Sequence, residues 1–136
     1  MTAREDAIAL LERYYDAFHK GDTQAMLACL SDDVTHDINQ GGREQGKQAF
    51  AAFMGGMDAA YKEELHDMVV MASEEGSRAA AEFVVHGQYL ESQEGLPAAK
   101  GQCYVLPAGA FFEIANGLIT RVSVYYNLQD WIRQVS

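Results

Sequence analysis

The chain has 136 residues, 20 acidic against 10 basic, and a formal net charge of −10 at neutral pH. That length fits one domain able to bury roughly two thirds of the surface its unfolded form exposes, so neither metal nor disulfide is required to hold it together. The acidic balance, with no Lys/Arg cluster, opposes tracking of phosphates and argues against nucleic acid as a partner.

The first residues, Met1 to Asp6, turn polar and acidic where a signal peptide would begin its apolar run, and no window approaches a membrane span. The expectation is a cytoplasmic protein with no membrane partner. Thr2 and Glu5 have capping-box spacing, and Ala7, Ile8, Leu11, Tyr14, Tyr15 and Phe18 then form one apolar helix face that ends before Gly21. Asp22 caps a second, short helix carrying Met26, Leu27 and Leu30. Val34 to Asn39 reads as a strand, Gln40-Gly41-Gly42 as a turn, and a third helix after Gly46 places Phe50, Phe53, Met54, Met57 and Tyr61 on one side.

From Leu65 the hydrophobic period drops to two. Leu65 to Ala72 is a strand, and Arg78 to Leu90 is a long one with Glu82, Val84, His86 and Gln88 on one face and Phe83, Val85 and Tyr89 on the other. Gln102 to Ile114, which carries Tyr104, follows; its Pro107-Ala108-Gly109 predicts a bulge. Asn116-Gly117 is a hairpin signal leading to a last strand, Leu118 to Asn127, and a closing helix to Val135. Three helices and a curved, mostly antiparallel sheet define one α+β domain over residues 1–136. Cys29 and Cys103 lack zinc-type spacing and read as reduced core thiols, so no metal is expected.

The strand with His86 and Tyr89, followed by Gly95-Leu96-Pro97-Ala98-Ala99-Lys100-Gly101, resembles the pocket-forming hairpin of the SnoaL-like polyketide cyclases, members of the NTF2-like superfamily that includes ketosteroid isomerase. Arg13-Tyr14, Gly21-Asp22 and Asp32-Asp33 resemble the same points of the isomerases, and Val124-Tyr125-Tyr126-Asn127-Leu128 resembles the close of many SnoaL-like proteins. The resemblance implies an NTF2-like cone around one pocket. It puts Tyr14 where the isomerase has its ketone-polarising Tyr, and the proton-shuttling Asp on either Asp37 or Ile38. A one-residue slip in a strand reverses the faces, so either Asp37 points inward or His36 and Ile38 do. The isomerase's second donor acid falls near Gly109 and Ala110, which cannot donate from a side chain, and Tyr89 stands where the cyclases carry a His. His66 and His86 resemble, in strand placement, the two histidines of scytalone dehydratase.

His86 shares a strand face with Glu82, whose carboxylate could orient the imidazole, and is the leading candidate base, with His36 or Asp37 beside it and Tyr14 as donor. His66, Tyr89, Tyr104, Phe53, Met57 and Asn127 are the candidate substrate contacts. Against this stand plainer roles: a strand histidine facing solvent, Tyr14 as a core aromatic, Asn127 as a helix cap. The expected function is acid/base isomerisation, cyclisation or dehydration of a small apolar carbonyl compound without a cofactor. The alternative is a non-catalytic dimeric ligand-binding module. A homodimer is expected because the strands at Arg78 to Leu90 and Leu118 to Asn127 are apolar on both faces.

Overall fold

The structure is a computed structural model describing residues 1–39 and 41–136. Helix α1 (Ala3–Lys20) starts at the capping box foreseen for Thr2 and Glu5 and stops at Gly21, whose φ of 68° is the left-handed conformation a glycine tolerates. Asp22 accepts from the Ala25 amide and starts α2 (Thr23–Ala28). Strands β1 (Leu30–Ile38) and β2 (Gly42–Gln45) precede α3 (Lys47–Ala60). Then come β3 (Tyr61–Ala72), β4 (Arg78–Tyr89), β5 (Cys103–Ala115), β6 (Leu118–Tyr126) and α4 (Leu128–Val135).

The six strands form one sheet in the order β2-β1-β6-β5-β4-β3, antiparallel throughout except for β1 beside β6. Asn116 and Gly117, with φ of 53° and 75°, make the tight turn between β5 and β6. One sheet face curls around α1 and α3; there Leu11, Tyr14, Phe50, Phe112, Ile119 and Val122 close the core. On β4 burial alternates residue by residue, with Phe83, Val85 and Tyr89 inside and Glu82 and His86 outside.

Four readings of the sequence need correction. β2 is a polar edge strand, Gly42-Arg43-Glu44-Gln45, with no apolar alternation to betray it, and of the turn placed at 40–42 Gln40 lies outside the described residues. Tyr61 does not finish α3 but opens β3, four residues ahead of the expected Leu65. Pro107-Ala108-Gly109 stays in register with β4; Pro107 sits beyond the last β6 partner, so its missing N–H costs no ladder bond on that side. The irregularities lie instead at Asp67, with φ of 55°, between His66 and Val69, between Glu113 and Ile114, and on β1 between Leu30 and Thr35. Cys29 is a buried thiol as expected, but Cys103 is exposed on the outer sheet face, and both are free.

Candidate active site

Between the helices and the concave sheet face lies a cavity of about 850 Å³, within the range of small-molecule sites. Its walls are Phe18 from α1, Phe53, Met54 and Met57 from α3, and Phe83, Val85, Leu106 and Val122 from the sheet. Against this apolar lining a few polar side chains stand out. They are Tyr14, His36 and the pair Glu63 and Tyr104, with Asp58 and Glu94 also bordering the cavity.

The Glu63–Tyr104 pair is built by one row of the sheet. Glu63 on β3 faces Gly87 on β4, which faces Tyr104 on β5. A Cβ at Gly87 would lie 2.2 Å from a Tyr104 ring carbon, so only glycine lets the phenol lie across β4. The Tyr104 hydroxyl thereby donates to Glu63 Oε2 at 2.5 Å. Burial raises the Glu63 carboxyl above its ordinary range, and the phenol's hydrogen bond opposes that rise in part. Burial and the facing carboxylate both hold the Tyr104 hydroxyl protonated. The result is a weak acid and a phenol donor inside an apolar chamber.

His36 stands on β1, 4 % exposed, with its ring 4.9 Å from that of Phe50 and 4.7 Å from that of Phe53. Burial lowers its pKa while the carboxylates of Glu44 and Asp37 pull it back. A neutral imidazole follows. Tyr14 lines the same cavity with its ring edge-on to Tyr15 and Phe112, and burial pushes its phenol well up.

The choice left open on β1 is resolved by its pairing. His36 faces the cavity together with Ile38, and Asp37 turns to the outer face. There Asp37 accepts two hydrogen bonds from the Arg43 guanidinium, at 2.6 and 3.1 Å, and one from Ser123 Oγ at 2.6 Å. These donors hold its carboxyl down at about 2. The candidate base Asp37 is therefore an ion-pair partner on the wrong side of the sheet.

His86 and His66 need the same correction. Both lie on the outer face, their ring centroids 4.0 Å apart, and His66 Nε2 lies 3.2 Å from Glu64 Oε1. They converge as the dehydratase likeness suggested, but outside the cavity, because on β4 the inward positions are the odd-numbered ones. Tyr89 is fully buried yet not in the cavity wall; its hydroxyl donates to Pro97 O at 2.7 Å and accepts from the Gln93 amide, anchoring the loop after β4. Asn127 caps α4 by accepting from the Asp130 amide and lies away from the cavity. Phe53, Met57 and Tyr104 do line it.

Two residues of the site escaped the sequence reading. Glu63 belongs to the period-two run Tyr61, Glu63, Leu65, which a strand started at Tyr61 would have revealed. His19 borders the cavity from the end of α1, its Nε2 accepting from the Leu65 amide at 3.2 Å, and carried no signal beyond its place in the helix.

A curled six-stranded sheet packed with helices around a cavity is the architecture of the NTF2-like proteins. A Burkholderia xenovorans NTF2-like protein superposes with a TM-score of 0.76 at 13 % identity, each chain fully covered, a likeness of fold alone. Residues 11–122 match the family model of the SnoaL-like domain, and the chain belongs to that family. Among solved structures, a proposed polyketide cyclase of Pseudomonas putida KT2440 is 61 % identical over 100 % of this chain and 99 % of its own, with a TM-score of 0.93. Another, from Xanthomonas campestris pv. campestris, is 56 % identical over 99 % and 100 %, with a TM-score of 0.96. No curated protein sequence matches the chain.

Proposed function

We propose that the protein is an acid/base isomerase or cyclase acting on a small apolar carbonyl compound, with His36 as the base and the Glu63–Tyr104 pair as the hydrogen-bond donor. The carrying observation is that one apolar cavity holds a buried imidazole whose pKa is lowered and a buried carboxyl whose pKa is raised. Both shifts favour the neutral forms, and the reaction proposed here uses that state, a free-base imidazole and a protonated carboxyl in one chamber. In that state His36 takes a proton from the carbon next to the carbonyl. Glu63 stabilises the oxygen as negative charge develops there. The electron pair released from the C–H bond forms the enol. It ends either in reprotonation at another carbon or in attack on a second carbonyl, which closes a ring. The proposed polyketide cyclases at 61 % and 56 % identity support the second ending. The same reading takes the protein as a cytoplasmic homodimer.

A panel of apolar ketones in deuterated buffer, followed by proton NMR, tests this. Wild type should wash out the α-protons of a responsive ketone, and His36→Gln should slow the exchange by roughly a hundredfold or more, the usual contribution of a positioned base. Binding of such ketones with no exchange in wild type would instead establish the ligand-binding module. The observation favouring that second reading is that, of the two positions the family's proton carrier falls on, Asp37 is diverted to an ion pair outside the cavity and Ile38 carries no ionisable group.

A further inference from the structure

The reaction proposed above requires His36 to present an unprotonated nitrogen to the ligand, which raises the question of what sets its tautomer. His36 on β1 is the direct antiparallel partner of Glu44 on β2. Directly opposed residues place their side chains on the same face of a sheet, within reach of one another. His36 Nδ1 and Glu44 Oε1 are both buried and both lack a hydrogen-bond partner among the described residues. Buried polar atoms are rarely left so, and two unsatisfied atoms on opposed residues, one able to donate and one able only to accept, are complementary. Glu44 does not line the cavity and His36 does, so the carboxylate stands behind the ring as seen by a ligand.

We infer that Glu44 is a positioning residue for His36: its carboxylate accepts the Nδ1 proton, directly or through one water, and leaves Nε2 as the basic nitrogen that meets the ligand. A carboxylate behind an imidazole holds one tautomer and steadies the imidazolium that forms when the ring takes a proton. The surroundings single out Glu44 for this task. The helix packed on the ring offers Phe50 and Phe53, β6 offers Val122 as the neighbour in register, and Tyr14 of α1 shares the cavity. The other carboxylate that acts on the ring, Asp37, is bound to Arg43 and Ser123 on the opposite face. β2 thus has a task beyond finishing the sheet edge.

The role rests on the base assignment above, yet it can be tested without turnover. Ring nitrogen-15 NMR of the full chain reads the tautomer and the pKa of His36 directly. Wild type should show protonated Nδ1 and free Nε2. Glu44→Leu should turn this into a mixture of tautomers, and Glu44→Gln, which keeps an acceptor but removes the charge, should retain the tautomer and lower the His36 pKa further. A wild-type ring protonated at Nε2, or a tautomer and pKa unmoved in both variants, would overturn the inference. If Glu44→Leu does not fold, the Glu44→Gln pKa decides. A wild-type ring with the expected tautomer but no α-proton exchange upholds the Glu44–His36 pair while removing the enzymatic reading.

Discussion

At the scale of single residues, the site depends on two side chains whose surroundings disfavour their charged forms. For Glu63 the sign is definite. A carboxyl whose pKa is higher in the folded chain than in the unfolded one binds more protons when folded, so stability falls as pH rises from the unfolded value through the folded one. Glu63→Gln removes that loss while keeping an acceptor for the Tyr104 hydroxyl. Thermal melts should therefore show the variant more stable than wild type at pH 7 and the difference closing below pH 4. A wild type that stays the more stable at pH 7 would mean that Glu63 is well solvated. Asp37 runs the other way. Held at about 2 by Arg43 and Ser123, it contributes stability above the unfolded carboxylate range that is lost as pH falls towards that value.

Elements matter here through what their register brings together. The Glu63–Gly87–Tyr104 row exists because β3, β4 and β5 pair without slippage over this stretch, so that one glycine lies beneath one phenol. An alanine there would push its Cβ into the Tyr104 ring and hydroxyl, at 2.2 to 2.4 Å in the present arrangement. Gly87→Ala should cost about 1–3 kcal/mol, the usual penalty of overpacking, and displace Tyr104 from Glu63. Chemical denaturation measures the first effect, and the pH dependence of the melting temperature reads the second as an altered Glu63 titration. An alanine variant as stable as wild type would show that the sheet adjusts freely at this row. The loop after β4 is held in the same local manner, by Tyr89 bonded at both ends of its hydroxyl to Gln93 and Pro97.

For the whole molecule, the outer sheet face is the feature left without a purpose in the single chain. Val69, Met71, Val105, Phe111 and Tyr125 on it are each about half exposed, and Phe111 packs edge-on against Tyr125 with ring centroids 5.7 Å apart. Apolar groups gathered on one open face favour a second copy over water. The proposed homodimer uses this face, and light scattering at micromolar concentration should return twice the 15.0 kDa chain mass. Phe111→Glu should shift it to monomer, because each subunit would then bury an unpaired charge. A clean monomer in wild type would sink the proposal.

Much of this architecture was legible in the chain. Helix caps at Thr2 and Asp22, the Asn116-Gly117 turn and the two-residue alternation of β4 are local signals, set by backbone geometry and by which neighbours a side chain meets within a few residues. The resemblance carried by Tyr14, the Gly95-to-Gly101 loop and the C-terminal aromatics led to the same family as the match over residues 11–122. What no local pattern could state is which face of each strand turns inward. Alternation separates His86 from Val85 and His36 from Asp37, yet only the curl of the sheet around α1 and α3 decides which set meets the cavity. The Glu63–Tyr104 and His36–Glu44 pairs join residues that the chain separates by 41 and 8 positions. Strand register, a property of the assembled sheet, brings both together.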